Sequence, residues 1–276
     1  MKVPYQAAQR GFTLVEMIIV IVITGIIAGV VAVFIQGPVE AYLATGRRAE
    51  LTDAADTAIR RMIRDVRLAL PRTVRVTVDA GVSYLEFVPS DTGGRYVWDA
   101  ACFNAGCTSL SMHDVGDIGA IDNGDLLIIN NQSSNSNATT DACSNQFPSV
   151  YCSGQNRAVI TGVSGMTLSF ANTIFRPASG SPSLRFQVAQ GPVTYRCDPA
   201  SGRLTRHAGY ALSAAQPTAA LPAGALLASQ INACGFDYTA LVFERWGLLG
   251  IRLGMADAAS GESISLYQEV HIDNLP

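Results

Sequence analysis

From Met17 to Ile35 the chain carries nineteen residues of which only Thr24 has a polar side chain. Counted from Phe12, the segment would form about 36 Å of helix at about 1.5 Å per residue. A hydrocarbon core is about 30 Å thick, so the pattern predicts a membrane-spanning helix over 12–36. Gly37-Pro38 follows. Pro38 has no N–H to give the carbonyl of Phe34, which predicts a kink at the end of the membrane segment. The period then becomes helical and two-sided. Leu51, Ala55, Ala58, Ile59, Met62, Ile63, Val66 and Leu70 form one stripe at spacings of three and four. Arg47, Arg48, Glu50, Asp53, Asp56, Arg60, Arg61, Arg64 and Arg67 fall on the opposite face. This predicts an amphipathic stem helix over 37–70, packed by its stripe on the rest of the chain and stopped by Pro71.

Beyond Pro71 the period is two. Thr73–Val78 and Ser83–Val88 alternate around Asp79-Ala80-Gly81, a hairpin signal. Further strands are expected at 125–130, 158–161, 166–170, 184–188, 192–197, 203–206, 235–239, 248–255 and 263–272. The stretches 96–124, 131–145 and 211–224 read as irregular or loop. One long helix followed by many strands predicts an α+β fold, with a mostly antiparallel head over 71–276.

Glu16 stands out at the start of the apolar run. A carboxylate inside a membrane segment costs roughly 2.5–3.5 kcal/mol on insertion scales, which makes it a functional candidate whose partner is expected in another chain. Before it lie Gly11-Phe12-Thr13-Leu14-Val15, and before these a short leader with Lys2 and Arg10. A secretory signal peptide would have an apolar core of about 7–15 residues and a small-residue cleavage site after it. Here the run is longer and the glycine precedes it.

Gly11, Phe12, Thr13, Leu14, Glu16 and the run that follows resemble the prepilin leader of type IV pilins and type II secretion pseudopilins. The resemblance implies a leader over 1–11, cleavage between Gly11 and Phe12 by a prepilin peptidase, and N-methylation of Phe12. It also implies that Glu16 acts in assembly with other major and minor pilins at an inner-membrane platform. Many family members have a proline within the apolar segment; here the first after the leader is Pro38. Softer likenesses at Arg47-Arg48-Ala49-Glu50-Leu51, Leu70-Pro71, Pro192–Asp198 and Val270–Pro276 are similar to minor pilins of the mannose-sensitive haemagglutinin (MSHA) pilus. A large head suits an end subunit, because close lateral packing penalises bulk. The resemblance places the head in the periplasm and then on the cell surface.

Charge and cysteine usage narrow the rest. The formal charge is −3, which becomes −5 when Lys2 and Arg10 leave with the leader, and nothing in the sequence resembles the strongly basic face that a nucleic-acid binder needs. Cys102, Cys107, Cys143, Cys152, Cys197 and Cys234 all lie beyond the stem, an even number that reads as disulfides in an exported head. Sequence proximity favours 102–107, 143–152 and 197–234 among the fifteen possible pairings. No CxxC pair occurs, and His113, His207 and His271 stand at no ligand spacing, so no metal or other cofactor is expected. Asp114, Asp117, Asp122 and Asp125 lack the spacing of a helix–loop–helix calcium site and read as turn formers. Asn137-Ala138-Thr139 is a formal sequon. Trp98 and Trp246 are expected in the core. No catalytic constellation stands in the right context, and His271 beside Asp273 reads as one strand's surface. The expected function is that of a minor pilin. A J-type minor pseudopilin of type II secretion, or a tip adhesin whose head binds a surface ligand, fits the same residues.

Overall fold

The computed structural model describes residues 11–115, 121–134, 148–152, 154, 156–240 and 246–273. The chain divides into two compact units, one up to Ala49 and one from Glu50 onward. Helix α1, Leu14–Val66, contributes to both and runs through Pro38. The boundary falls inside the helix, just before its stripe begins to be buried at Leu51.

In the first unit the apolar side chains of α1 are exposed. In the second, Leu51, Ala55, Ala58, Ile59, Met62, Ile63 and Val66 are all buried. The helix ends earlier than the expected Pro71. The N–H groups of Leu68 and Ala69 fold back on Asp65 and Val66, and Leu70 donates to the Val88 carbonyl at 2.8 Å. A bridge between Ala69 and Pro89 completes the capture. Pairing with another strand satisfies the backbone and so wins over one more helical turn.

The other elements follow in order: β1 Arg75–Asp79, β2 Val82–Phe87, β3 Thr92–Tyr96, α2 Ala100–Asn104, β4 Cys107–Val115, β5 Leu126–Ile129, β6 Arg157–Ser164 and β7 Thr167–Thr173. Then come β8 Arg185–Ala189, β9 Val193–Asp198, β10 Arg203–Ala208, β11 Ala225–Ser229, β12 Ile231–Ala240, β13 Trp246–Ala256 and β14 Ser263–Asp273. The β1–β2 hairpin turns at Ala80 and Gly81, with φ of 48° and 81°. Two successive positive φ values mark the turn whose twist matches the flanking strands.

Among the described residues all the strand pairs are antiparallel, but they make three assemblies rather than one sheet. The strand orders are β1-β2-β9-β10-β11, β12-β13-β14, and a closed barrel β3-β4-β7-β6-β5-β8. The helix stripe packs with Leu85, Phe87, Tyr195, Leu204, Phe236, Leu249 and Ile251 of the first two. The barrel is filled by inward residues of its strands, among them Leu110, Leu127, Phe170, Phe186 and Val188, together with Phe103 of α2. A smaller cluster of Leu70, Val88, Ile128, Val150, Tyr151 and Ala189 lies beside these.

Several expectations are corrected. The stretch 96–124 is not irregular, since it holds α2 and the nine-residue β4. Leu110 and Met112 point inward between exposed Ser109, Ser111 and His113, an alternation obscured by weak strand formers. Asn131 is not a solvated loop residue. It is buried; its amide donates to the carbonyls of Pro71 and Arg72 and its oxygen accepts from Val150 N. Neither tryptophan is in the core. Trp98 is 44% exposed with one ring face stacked 4.6 Å from Phe103, and Trp246 is 53% exposed on the outer end of β13.

Candidate assembly segment

Gly11 and Phe12 precede the helix, and Phe12 is 84% exposed. Thr13 caps α1. Its hydroxyl accepts from Glu16 N at 3.3 Å, while the Glu16 carboxylate accepts from Thr13 N and Thr13 Oγ1, each at 3.0 Å. This is a capping box, in which a threonine and the glutamate three residues on satisfy each other's free backbone N–H groups. One carboxylate oxygen of Glu16 is therefore engaged by its own helix terminus, an interaction within the chain that the sequence reading did not expect. The Thr-x-x-Glu spacing was the signal. It is easily overlooked beside the more conspicuous charge in an apolar run.

The remaining first-unit side chains have little polar chemistry. Thr24 donates to the Val20 and Ile21 carbonyls, so its hydroxyl is satisfied within the helix. Gly25 and Gly29 lie one turn apart, and Ile26, Val30, Val33 and Phe34 surround the shallow groove they leave. Small residues at that spacing allow close approach of helices in lipid, a signal present in the sequence. By length and composition α1 is long and apolar enough to cross a membrane. A continuous exposed apolar surface of this size marks a membrane or protein contact.

Residues 6–32 match the family described as the prokaryotic N-terminal methylation motif. This supports a type IV pilin-like or pseudopilin precursor, of a class whose members are structural subunits rather than enzymes. The motif implies processing by a prepilin peptidase and assembly with other pilins in general, and with the apolar helix it is consistent with membrane anchoring. It covers the leader and the first part of α1, not the head. No curated protein and no solved structure matches the chain.

In the head, Cys102 of α2 is bonded to Cys107 of β4, and Cys197 of β9 to Cys234 of β12, which ties two sheets together beneath the helix. Cys152 is also disulfide-bonded, and Cys143 lies outside the described residues. So do Asp117 and the sequon at Asn137. The Asp125 carboxylate accepts from Asp122 N and closes a turn. Among the described residues no cluster of three or more His, Cys, Asp or Glu side chains could hold a metal. His207 is buried, with Nε2 2.9 Å from Thr205 Oγ1 and Nδ1 2.7 Å from the Pro222 carbonyl, where it holds the 211–224 loop. His271 is exposed on β14.

Proposed function

We propose that the chain is a minor pilin: an inner-membrane prepilin cut between Gly11 and Phe12, methylated on Phe12, and built into a pilus at or near its tip. The observation that carries this is the methylation-motif match that includes Gly11-Phe12-Thr13-Leu14-x-Glu16, joined to a helix whose large apolar side chains are exposed along the first unit. Such a helix leaves lipid only for an equally apolar bundle of other stems. Glu16 gives that bundle a register, because its charge neutralises the terminal amine of a neighbour's Phe12; unpaired, each charge in a dry bundle costs several kcal/mol. The carboxylate engages Thr13 through one oxygen, which leaves the other for the neighbour. The softer sequence likenesses favour an MshO-type subunit of the MSHA pilus, with the head first in the periplasm and then at the cell surface. Intact-mass analysis and N-terminal sequencing of membrane-extracted protein test the reading. A mature chain beginning at methylated Phe12 is expected, with a bulky residue at Gly11 blocking the cut. A chain that begins elsewhere refutes it.

A further inference from the structure

On the outer face of the barrel, a cavity of about 310 Å³ opens between β5, β6 and the segment that follows β10. Along β6, Ala158 and Ile160 point into the barrel and are buried, so the period of two turns Arg157 and Val159 outward. Both line the cavity, with Leu126, Pro192, Tyr210 and Leu212. The wall at 210–212 is held at both ends. The Tyr210 hydroxyl lies 2.6 Å from Thr194 Oγ1, and the carbonyls of Ser213 and Ala214 accept from the buried Arg75 guanidinium at 2.9 and 2.8 Å. That wall is thus held in place by the fold.

Among the described residues that line it, Arg157 is the only cation. Its side chain is half-buried, and no described carboxylate or carbonyl is bonded to it. Loss of water around the guanidinium lowers its pKa from the ordinary value. Three other arginines of the head that are withdrawn from water have carboxylates: Arg75 has Glu86, Arg196 has Asp198 and Arg206 has Asp65. A partly desolvated cation without a counter-charge is costly, and an anion entering from solvent would relieve that cost.

We propose that this cavity binds a small carboxylate with an apolar body. The planar fork of Arg157 takes the carboxylate, and Leu126, Val159, Pro192 and Leu212 take the body. A guanidinium matches a carboxylate through two parallel hydrogen bonds. One arginine balances one negative charge, which favours a carboxylate over a multiply charged phosphate. Ligand cavities run from roughly 300 to 1,000 Å³, so this one suits a molecule of about one ring. The inference is independent of the assembly role, since it concerns the head alone.

Calorimetric titration of the full chain in detergent micelles tests it, with benzoate as the probe and benzamide as its neutral isostere. Saturable benzoate binding is expected, at least about tenfold tighter than benzamide, with a loss of about tenfold or more in Arg157→Gln. Val159→Trp keeps the cation and fills the mouth of the cavity, so it should lose binding equally while circular dichroism and melting stay unchanged. No saturable benzoate binding by the wild type overturns the proposal. So does binding that survives in Arg157→Gln or in a folded Val159→Trp.

Discussion

Arg75 and Glu86 face each other across the β1–β2 ladder, with Nη2 3.0 Å from Oε1 and both side chains almost wholly buried. The Tyr151 ring lies 3.7 Å from the guanidinium carbon, and the Tyr151 hydroxyl donates to the Thr73 carbonyl. The same guanidinium donates to the Ser213 and Ala214 carbonyls, so one cation ties the hairpin to the long loop before β11. Burial pushes the Glu86 carboxyl above its ordinary value, and Arg75 pulls it part of the way back.

Replacing Arg75 by leucine strands that carboxylate. Breaking one side of a buried pair costs about 3–5 kcal/mol, read as a lower urea midpoint. The loss should depend on pH with a definite sign. Without the cation the folded pKa of Glu86 rises further above the unfolded value, so the folded variant binds the extra proton. Its stability is then retained below the ordinary glutamate value of 4.5 and lost as pH rises through the folded pKa. The gap between wild type and Arg75→Leu should therefore be wider at about pH 8 than at about pH 5. A gap independent of pH would mean that the carboxylate is not what the arginine compensates.

The end of α1 is fixed to the sheet by a second polar junction. Asp65 Oδ2 accepts from the Tyr195 hydroxyl at 2.7 Å and from Arg206 Nε at 2.8 Å. Burial, with Asp65 beside it, pushes the tyrosine pKa up, so the hydroxyl stays a donor. Tyr195→Phe keeps the ring in the core and removes one bond to a charged group. It should cost about 1.5–3 kcal/mol by denaturant unfolding. Asp65→Asn combined with Tyr195→Phe should cost less than the sum of the single changes, because both act on one junction.

The two described disulfides should differ in weight. Cys197–Cys234 closes 37 residues and joins two sheets, whereas Cys102–Cys107 closes 5. Chain entropy assigns the longer closure about 4 kcal/mol and the shorter about 2 kcal/mol. Paired Cys→Ala variants, compared by thermal unfolding, should rank in that order. Equal effects would point to folded-state packing rather than closure of the unfolded chain.

The helix stripe from Leu51 to Val66 was legible because a single period of 3.6 governs it and one face is wholly buried. The β1–β2 hairpin was legible for the same kind of reason. Glu86 was not, because β2 is buried on both faces, so alternation no longer separates inside from outside. Strand β3 was hidden by its glycines. Gly93 is there because a Cβ would come within 2.6 Å of the Phe186 carbonyl, a demand set by β8 some ninety residues away. Barrel closure has the same origin. It depends on β8 pairing with both β3 and β5, and no local pattern encodes which distant strands meet. In the assembly segment, the motif from Gly11 to Glu16 was plain, while the cap between Thr13 and Glu16 needed the geometry.

That cap sharpens the test of Glu16. Glu16→Ala removes both the charge and the bonds to Thr13 N and Oγ1; Glu16→Gln removes the charge but keeps a side chain that serves in a capping box. Neither change should affect the head, whose core begins at Leu51. Neither should hinder insertion, since one costly charge leaves the membrane segment. On the charge-pairing account both variants are cut after Gly11 and extracted with the membrane, yet both fail to co-purify with other pilins. If glutamine restores assembly and alanine does not, the carboxylate serves the helix terminus and not a neighbour's amine. If both variants assemble as the wild type does, the stems are held by apolar packing alone, and the register must come from elsewhere, with the groove at Gly25 and Gly29 the next place to substitute.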